Sequence, residues 1–237
     1  MRAAAVDPRA SRRVRSLCGV LTAILGTLAL LALTFLIGQQ TGESLGHYVL
    51  YQVAGLVVAV IVVVVVRVAT GVGSPSWGSM AAPSRAVRAL GIGPSESWRA
   101  VGRNFTIVIS LVTAGFLALS YGTELAAISL TSWLLALLVA VPLSATNALT
   151  EELVTRWAVV ASLSDSWPRL APWASAAVFG SVHWFGIPGG PMGAAMAGFL
   201  GWLLARSIQD TRGIGWAWIV HFSQDVLIFT VTIALFI

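Results

Sequence analysis

Residues 150–160 read TEELVTRWAVV, and this stretch places Glu151, Glu152 and Arg156 inside a long apolar region. Apolar residues continue on both sides, from residue 125 to about residue 163. A membrane span needs only about 20 such residues, so the region predicts a transmembrane helix. A charge inside a span costs about 2.5–3.5 kcal/mol on insertion scales, so charged residues there indicate a functional site.

The whole chain has the composition of a membrane protein. Of its 237 residues, 57% are hydrophobic and 10% are charged, whereas a soluble domain carries roughly 25% charged residues. The apolar runs predict an all-α polytopic membrane protein with about seven transmembrane helices. The first run is too long for the core of a signal peptide and predicts an uncleaved helix. The predicted spans are residues 17–38, 47–67, 105–121, 125–163, 170–185, 191–208 and 214–237.

The basic residues predict the orientation of these spans. All 14 are arginine, and the net charge is +5. Apart from Arg156, they lie in the N-terminal tail, in the loop at residues 70–104 and its edge, and near residues 169 and 206–212. Arginine accumulates in cytoplasmic loops, so the N-terminus is predicted to be cytoplasmic. The arginines are not clustered on a soluble module, so no nucleic-acid partner is expected. Arginine without lysine is typical of a GC-rich genome, which favours a bacterial inner membrane.

Ionisable residues recur at similar depths in two later spans. FGSVH places His183 about 20 Å from the cytoplasmic end of its helix, and Glu151 lies about 18 Å deep. HFSQD places His221 and Asp225 about 10–17 Å deep in the last span. Three helices therefore carry ionisable groups at comparable depth, and we expect these groups to meet in one buried polar site.

Helical spacing predicts the partners within this site, because residues four apart share a face. Glu152 and Arg156 are expected to form a buried ion pair, which leaves Glu151 free for chemistry. The ring of Phe179 is expected to pack beside the imidazole of His183. Asp225 is expected to fix the tautomer of His221. Asn147, one turn before Glu151, is expected to line the cavity.

These side chains suit peptide hydrolysis. A desolvated glutamate is a competent general base for water, and a neighbouring imidazole can orient that water. A second histidine can donate to the developing oxyanion, which is often a large catalytic contribution. Histidine and carboxylate groups are also zinc ligands, so a metal-dependent site built from Glu151, His183 and His221 is an open alternative.

The ordered motifs EExxxR, FxxxH and HxxxD resemble the CPBP family of intramembrane proteases, which includes the type II CAAX prenyl endopeptidases. The resemblance covers about 75 residues, 151–225, and it implies a metal-free protease that needs no cofactor. The resemblance implies a catalytic set made of Glu151, Glu152, His183, His221 and Asp225. The catalytic side chains are expected to be oriented by Arg156, Phe179 and Asn147. Two departures stand out: Thr155 and Trp157 flank the arginine where an aromatic residue and a glycine are common, and Asp225 replaces a frequent asparagine.

The expected domain organisation has three parts. Residues 1–16 form a basic cytoplasmic tail, residues 17–121 form N-terminal transmembrane helices with the cytoplasmic loop 70–104, and residues 125–237 form a CPBP-like catalytic core. The expected partners are membrane lipid and a peptide or protein substrate cleaved near the cytoplasmic face. Small residues at positions 193, 197 and 201 predict close packing of the sixth span.

Two other functions fit the same composition. A buried polar core could relay protons in a transporter, or it could be structural in a bacteriocin-immunity or scaffold protein. A transporter would more often show repeats and broken helices in both halves. The sequence contains no HExxH, GxSxG or GxGD motif, which argues against a site-two-type zinc protease, a rhomboid serine protease and a presenilin-like aspartyl protease.

Overall fold

A computed structural model describes residues 8–41, 45–186 and 188–237, and these ranges contain helices but no β-strand. The all-α prediction is therefore confirmed for the described residues. Residues 1–7 of the expected tail, residues 42–44 and residue 187 lie outside them. The helices are α1 Pro8–Thr41, α2 Leu45–Thr70, α3 Trp98–Leu125, α4 Leu130–Glu151, α5 Ala158–Leu163, α6 Ala171–Val182, α7 Gly190–Thr211 and α8 Gly215–Phe236.

Five helices in the described ranges are long and apolar enough to cross a membrane. They are Arg9–Ile37, Leu45–Thr70, Trp98–Leu125, Leu130–Leu163 and Gly215–Phe236. The expectation of about seven spans is not reproduced, and the difference lies in α6 and α7. Helix α6 has 12 residues, or about 18 Å, against a hydrocarbon core of about 30 Å. Helix α7 has 22 residues, but glycine and a polar C-terminal turn interrupt its apolar sequence.

The helix that runs through α4 and α5 lies at the centre of the bundle. Helices α1, α2 and α8 pack against it, α6 and α7 form an antiparallel pair, and α3 packs on α8. One core cluster joins residues of α1, α2, α5, α7 and α8. Helix α3 is the most peripheral of the candidate spans, since 6% of its apolar window is buried. The exposed faces of these helices are therefore suited to lipid.

The segment between α2 and α3 folds onto the turn between α7 and α8. Asp210 accepts hydrogen bonds from Arg85 Nε at 2.5 Å and from Trp98 Nε1 at 3.0 Å. The backbone N–H of Ile214 donates to the Ser76 carbonyl at 2.8 Å. The residues at 71–97 therefore form a fixed clamp, which we call the loop clamp. Helix α3 begins at Trp98, so residues 98–104, expected as loop, are helical.

One end of the bundle, which we call the loop end, gathers the loop clamp and several other segments. The start of α1 reaches the α5–α6 connection there, because Ser16 Oγ donates to Ser166 Oγ at 2.9 Å. Arg13 lies over the ring of Trp167 in the same region. Apart from Arg156, every described arginine belongs to a segment that meets at the loop end. The opposite end of the described bundle carries Glu124.

Candidate active site

A π-helical turn separates the two halves of the central helix. It spans Glu152–Trp157, and the backbone N–H of Ala158 bonds to the carbonyl of Leu153, five residues earlier. Such turns occur frequently at functional sites, because they insert a residue into the helical repeat. Here the turn contains both members of the expected ion pair. Arg156 Nη1 donates to Glu152 Oε1, and both side chains are fully buried.

Glu152 also binds His221, which differs from the expected pairing. His221 Nδ1 lies 2.8 Å from Glu152 Oε1, whereas His221 Nε2 lies 3.5 Å from Asp225 Oδ1. A carboxylate accepts hydrogen bonds, so the close contact assigns the Nδ1 proton to this bond. Glu152 is therefore the closer carboxylate partner of His221, and the expected neighbour Asp225 lies beside the other ring nitrogen. Spacing along α8 could not predict this, because the partner comes from another helix.

Glu151 and Asp225 share two nitrogen partners. Asn147 Nδ2 donates to Glu151 Oε1 at 3.1 Å and to Asp225 Oδ2 at 3.0 Å. The other oxygens of the two carboxylates lie 3.7 and 3.5 Å from His221 Nε2. The side chain of Glu151 is 18% exposed, the largest fraction among the acidic residues of this cluster. Asn147 thus lies at the centre of the cluster and holds the two carboxylates side by side.

The His183 imidazole is held from its own helix. It lies at the end of α6, where a 3₁₀ turn His183–Phe185 begins, and its Nδ1 is 2.8 Å from the Phe179 carbonyl. A carbonyl can only accept, so Nδ1 carries the proton and Nε2 keeps a lone pair. The Phe179 and His183 rings are 4.1 Å apart, as the spacing predicted. The guanidinium of Arg156 also lies over the Phe179 ring, 3.7 Å from its centroid.

Small residues let α7 approach these two side chains closely. A Cβ on Gly193 would lie 2.7 Å from the His183 carbonyl oxygen, and one on Gly201 would lie 3.2 Å from Phe179 Cβ. Gly193, Ala197 and Gly201 are all buried. The predicted close packing is therefore confirmed, and it supports the backbone of His183.

Two cavities reach the site from different directions. The first, the glutamate cavity, has a volume of about 230 Å³ and is lined by Glu151, His183, Tyr51 and residues of α1. The second, the apolar groove, has a volume of about 450 Å³ and lies between α3, α7 and α8. His183 lines both, and His221 and Asp225 line the groove. The polar cluster is therefore accessible from two sides although most of its members are buried.

The arrangement does not assemble a metal site from the residues described. Within 8–41, 45–186 and 188–237, no group of three or more histidine, cysteine, aspartate or glutamate side chains could hold a metal ion. Glu152 and Arg156 already occupy one side of the cluster. The zinc alternative built from Glu151, His183 and His221 stays a prediction.

The eight residues singled out from the sequence lie together across α4, the π turn, α6 and α8. Residues 131–227, which contain all of them, match the family model described as type II CAAX prenyl endopeptidase Rce1-like. The match covers 97 of the 237 residues and supports a protease of the CPBP family. The description of this family implies a protease. No curated protein and no solved structure matches it significantly. Helices α1, α2 and α3 lie outside the residues matched to the Rce1-like family.

Helix α2 contributes two polar side chains that the motifs did not identify. Tyr51 lines the glutamate cavity, and Gln52 Nε2 donates to Asn147 Oδ1 at 3.5 Å. Both stand in a helix that is otherwise almost entirely apolar. A polar residue inside a predicted span was the available signal for Gln52, because interhelical hydrogen bonds are a common role for such residues.

Proposed function

We propose that the protein is an intramembrane endopeptidase in which Glu151 activates the water that attacks the peptide bond. The observation that carries this proposal is that Glu151 and His183 line the same cavity of about 230 Å³. One water takes about 30 Å³, so a water and part of a peptide fit together. Glu151 is held by Asn147 and keeps its second oxygen for the proton of the water.

His183 is proposed to orient this water. The Nδ1 proton is bound to the Phe179 carbonyl, so Nε2 can accept a hydrogen bond from water on the cavity side. Attack on the substrate carbonyl would then place the water proton on Glu151. Glu151 would return it to the leaving amine, since a general base in one step can act as the acid in the next.

His221 is proposed to stabilise the oxyanion. Glu152 anchors Nδ1, which directs Nε2 towards Glu151 and Asp225. In the imidazolium form of His221, Nε2 also carries a proton, which can be donated to the developing negative charge in a site from which water is excluded. Asp225 is proposed to position this imidazole and Asn147, because an ionised carboxylate cannot itself donate to an oxyanion. Glu152 and Arg156 are positioning residues in this scheme.

The substrate is proposed to be a membrane-associated protein or peptide with an apolar group near the cleaved bond. The apolar groove is lined by Phe105, Val112, Met196, Leu200 and similar side chains, and it leads to His221 and Asp225. The name of the family refers to prenylated CAAX substrates, and a groove of this kind is what any such apolar group would need.

The proposed topology places the N-terminus and the loop end in the cytoplasm. Basic residues concentrate at that end of the described bundle, as expected for a cytoplasmic face. The N-terminus and the loop end lie on the same side of the membrane whether the chain has five spans or seven. This holds because the α6–α7 pair either crosses the membrane twice or does not cross it. The proposed catalytic core is residues 125–237, with residues 17–121 as N-terminal helices, residues 70–104 as a cytoplasmic loop and residues 1–16 as a cytoplasmic tail. The proposed location is a bacterial inner membrane.

The proposed mechanism requires no cofactor, and no step is assigned to zinc. Metal analysis of the purified, active protein tests the alternative directly. One equivalent of zinc that is lost together with activity on chelation would replace the metal-free scheme.

The experiment that tests the function compares wild type with Glu151→Gln in a deletion host. Glu124→Gln is the matched control, because Glu124 is exposed at the end of α3. Membrane and secreted peptides are compared by mass spectrometry, after all three proteins are shown to insert and melt alike. We expect specific C-terminal fragments in wild type and in the control, and their loss in Glu151→Gln. Identical fragment profiles with full complementation by Glu151→Gln would support a transporter or scaffold instead.

A further inference from the structure

We propose that Gln52 of α2 is a positioning residue of the active site, which orients the Asn147 amide so that both its N–H groups face the two carboxylates. This inference rests on the proposed function, and it adds a residue from outside the segment matched to the family. Gln52 does not line either cavity. It would act on Glu151 and Asp225 only through Asn147.

Gln52 lies on the face of α2 that packs against α4. The buried residues of α2 are Gln52, Gly55, Ala59, Val62 and Val66, which recur every three or four positions and so share one face. Gln52 is the only polar member of this set, and it is 5% exposed. The two helices approach closely one turn further along, where a Cβ on Gly55 would lie 3.3 Å from the Thr150 methyl group. This approach brings the Gln52 amide within reach of Asn147.

The side-chain amide of Asn147 can satisfy all of its hydrogen bonds in one orientation. Its Nδ2 donates to Glu151 and to Asp225, and its Oδ1 accepts from Gln52 Nε2 at 3.5 Å. An amide has two donors and one acceptor oxygen, so these three bonds use both donors and occupy the oxygen. If the amide rotated by half a turn, Oδ1 would face two carboxylate oxygens. Gln52 disfavours that rotation, because its Nε2 donor would then face an N–H group of Asn147.

A purely structural role for Gln52 is the competing explanation. Polar residues often join membrane helices without any part in chemistry. The two roles differ in what they change. Helix association alone would alter the fraction of folded protein, whereas an oriented Asn147 alters the turnover of the protein that is folded.

The kinetic test uses Gln52→Met, which keeps the length of the side chain and removes the donor. Ser144→Ala is the matched control, since Ser144 is buried on α4 and its hydroxyl has no hydrogen-bond partner among the described residues. The substrate is the peptide whose cleavage is lost in Glu151→Gln. We expect kcat per folded protein to fall about three- to tenfold, the range of one net hydrogen bond, with KM unchanged. The control should keep the wild-type kcat.

A double-variant cycle tests whether Gln52 acts through Asn147. We expect Gln52→Met combined with Asn147→Leu to be no slower than Asn147→Leu alone, because the orienting residue has nothing left to orient. Multiplicative losses in the double variant would overturn the inference. An unchanged kcat in Gln52→Met would also overturn it while leaving the proposed protease function intact.

A spectroscopic test is independent of activity. The chain contains two asparagines, Asn104 and Asn147, so ¹⁵N-asparagine labelling gives two side-chain amide signals, and Asn104→Ser assigns them. We expect Gln52→Met to shift the Asn147 signals and to speed their hydrogen exchange, while Ser144→Ala leaves them unchanged. Unchanged Asn147 signals in Gln52→Met would refute the inference even if no cleaved substrate were found. Absence of cleavage by wild type would instead count against the proposed function alone.

Discussion

Replacing Arg156 with methionine is expected to destabilise the protein by about 3–5 kcal/mol, the usual effect of removing one partner from a buried ion pair. Both Arg156 and Glu152 are fully buried, so the remaining carboxylate cannot reach water. The ring of Phe179 would also lose the guanidinium that lies 3.7 Å from its centroid. The variant should therefore unfold at a lower denaturant concentration than wild type.

The double variant Glu152→Leu with Arg156→Met should recover most of this stability. It removes both charges together with three buried atoms that lack hydrogen-bond partners among the described residues, namely Arg156 Nε, Arg156 Nη2 and Glu152 Oε2. Each such atom costs about 1–3 kcal/mol. The double variant leaves one new defect, the unpaired Nδ1 proton of His221, of similar size. We therefore expect a net loss of no more than about 1–3 kcal/mol.

Activity should not recover with stability. His221 loses the carboxylate that fixes its Nδ1, so the double variant should be folded and nearly inactive. The assay is unfolding by SDS in mixed micelles, followed by tryptophan fluorescence, alongside peptide cleavage. Arg103→Met is the control, because Arg103 is exposed and surface changes usually stay within about 0.5 kcal/mol. A double variant as unstable as Arg156→Met alone would refute the reasoning.

Three further variants test the site, the packing of α7 and the loop clamp. Asp225→Asn should keep cleavage within about tenfold of wild type, since the new amide oxygen can still accept from Asn147 and one net hydrogen bond is worth up to about 1.5 kcal/mol. A loss of cleavage equal to that of Glu151→Gln would show that the charge of Asp225 is required. Gly193→Ala should destabilise the protein by about 1–3 kcal/mol through overpacking and should slow cleavage. Gly198→Ala should do neither, because its Cβ would lie 3.5 Å from the nearest atom. Equal unfolding curves for the two variants would contradict the close-packing argument. Asp210→Ala should release the loop clamp, seen as faster proteolysis at residues 71–97; unchanged proteolysis would mean that the backbone contacts suffice.

The sequence predicted the class of the fold and which polar residues lie together, because both depend on strong local signals. Charged and histidine residues are rare inside apolar helices, so Glu151, His183 and His221 stood out without any knowledge of packing. The spacing of four residues correctly predicted two contacts, Glu152 with Arg156 and Phe179 with His183. Each contact joins residues on one helix, where geometry follows from the helical repeat.

Contacts between helices could not be predicted in the same way. His221 was paired with Asp225 by spacing, but its close partner is Glu152 on another helix. Gln52 was passed over because its contact depends on how closely α2 approaches α4. The ends of helices could not be predicted from apolar runs either: α6 stops at Val182, which leaves His183 at its terminus.

The loop clamp shows a further limit of composition. Residues 70–104 are rich in glycine, serine and proline and were expected to form a cytoplasmic loop. Their fixed structure comes from a few specific partners on the α7–α8 turn, chiefly Asp210. Partners more than a hundred residues away leave no periodic pattern in the sequence.

The π turn at Glu152–Trp157 divides the central helix into two halves whose side-chain faces are offset in angle around the helix axis. One added residue shifts the side chains that follow it by about 100° around the helix axis. The face of α4 that carries Glu151 and the packing face of α5 are therefore offset from each other. Deleting one residue from the turn would leave the length of the helix almost unchanged. It would swing the glutamates away from His221 while the packing face of α5 stayed in place, so the chemistry depends on the phase between the two halves.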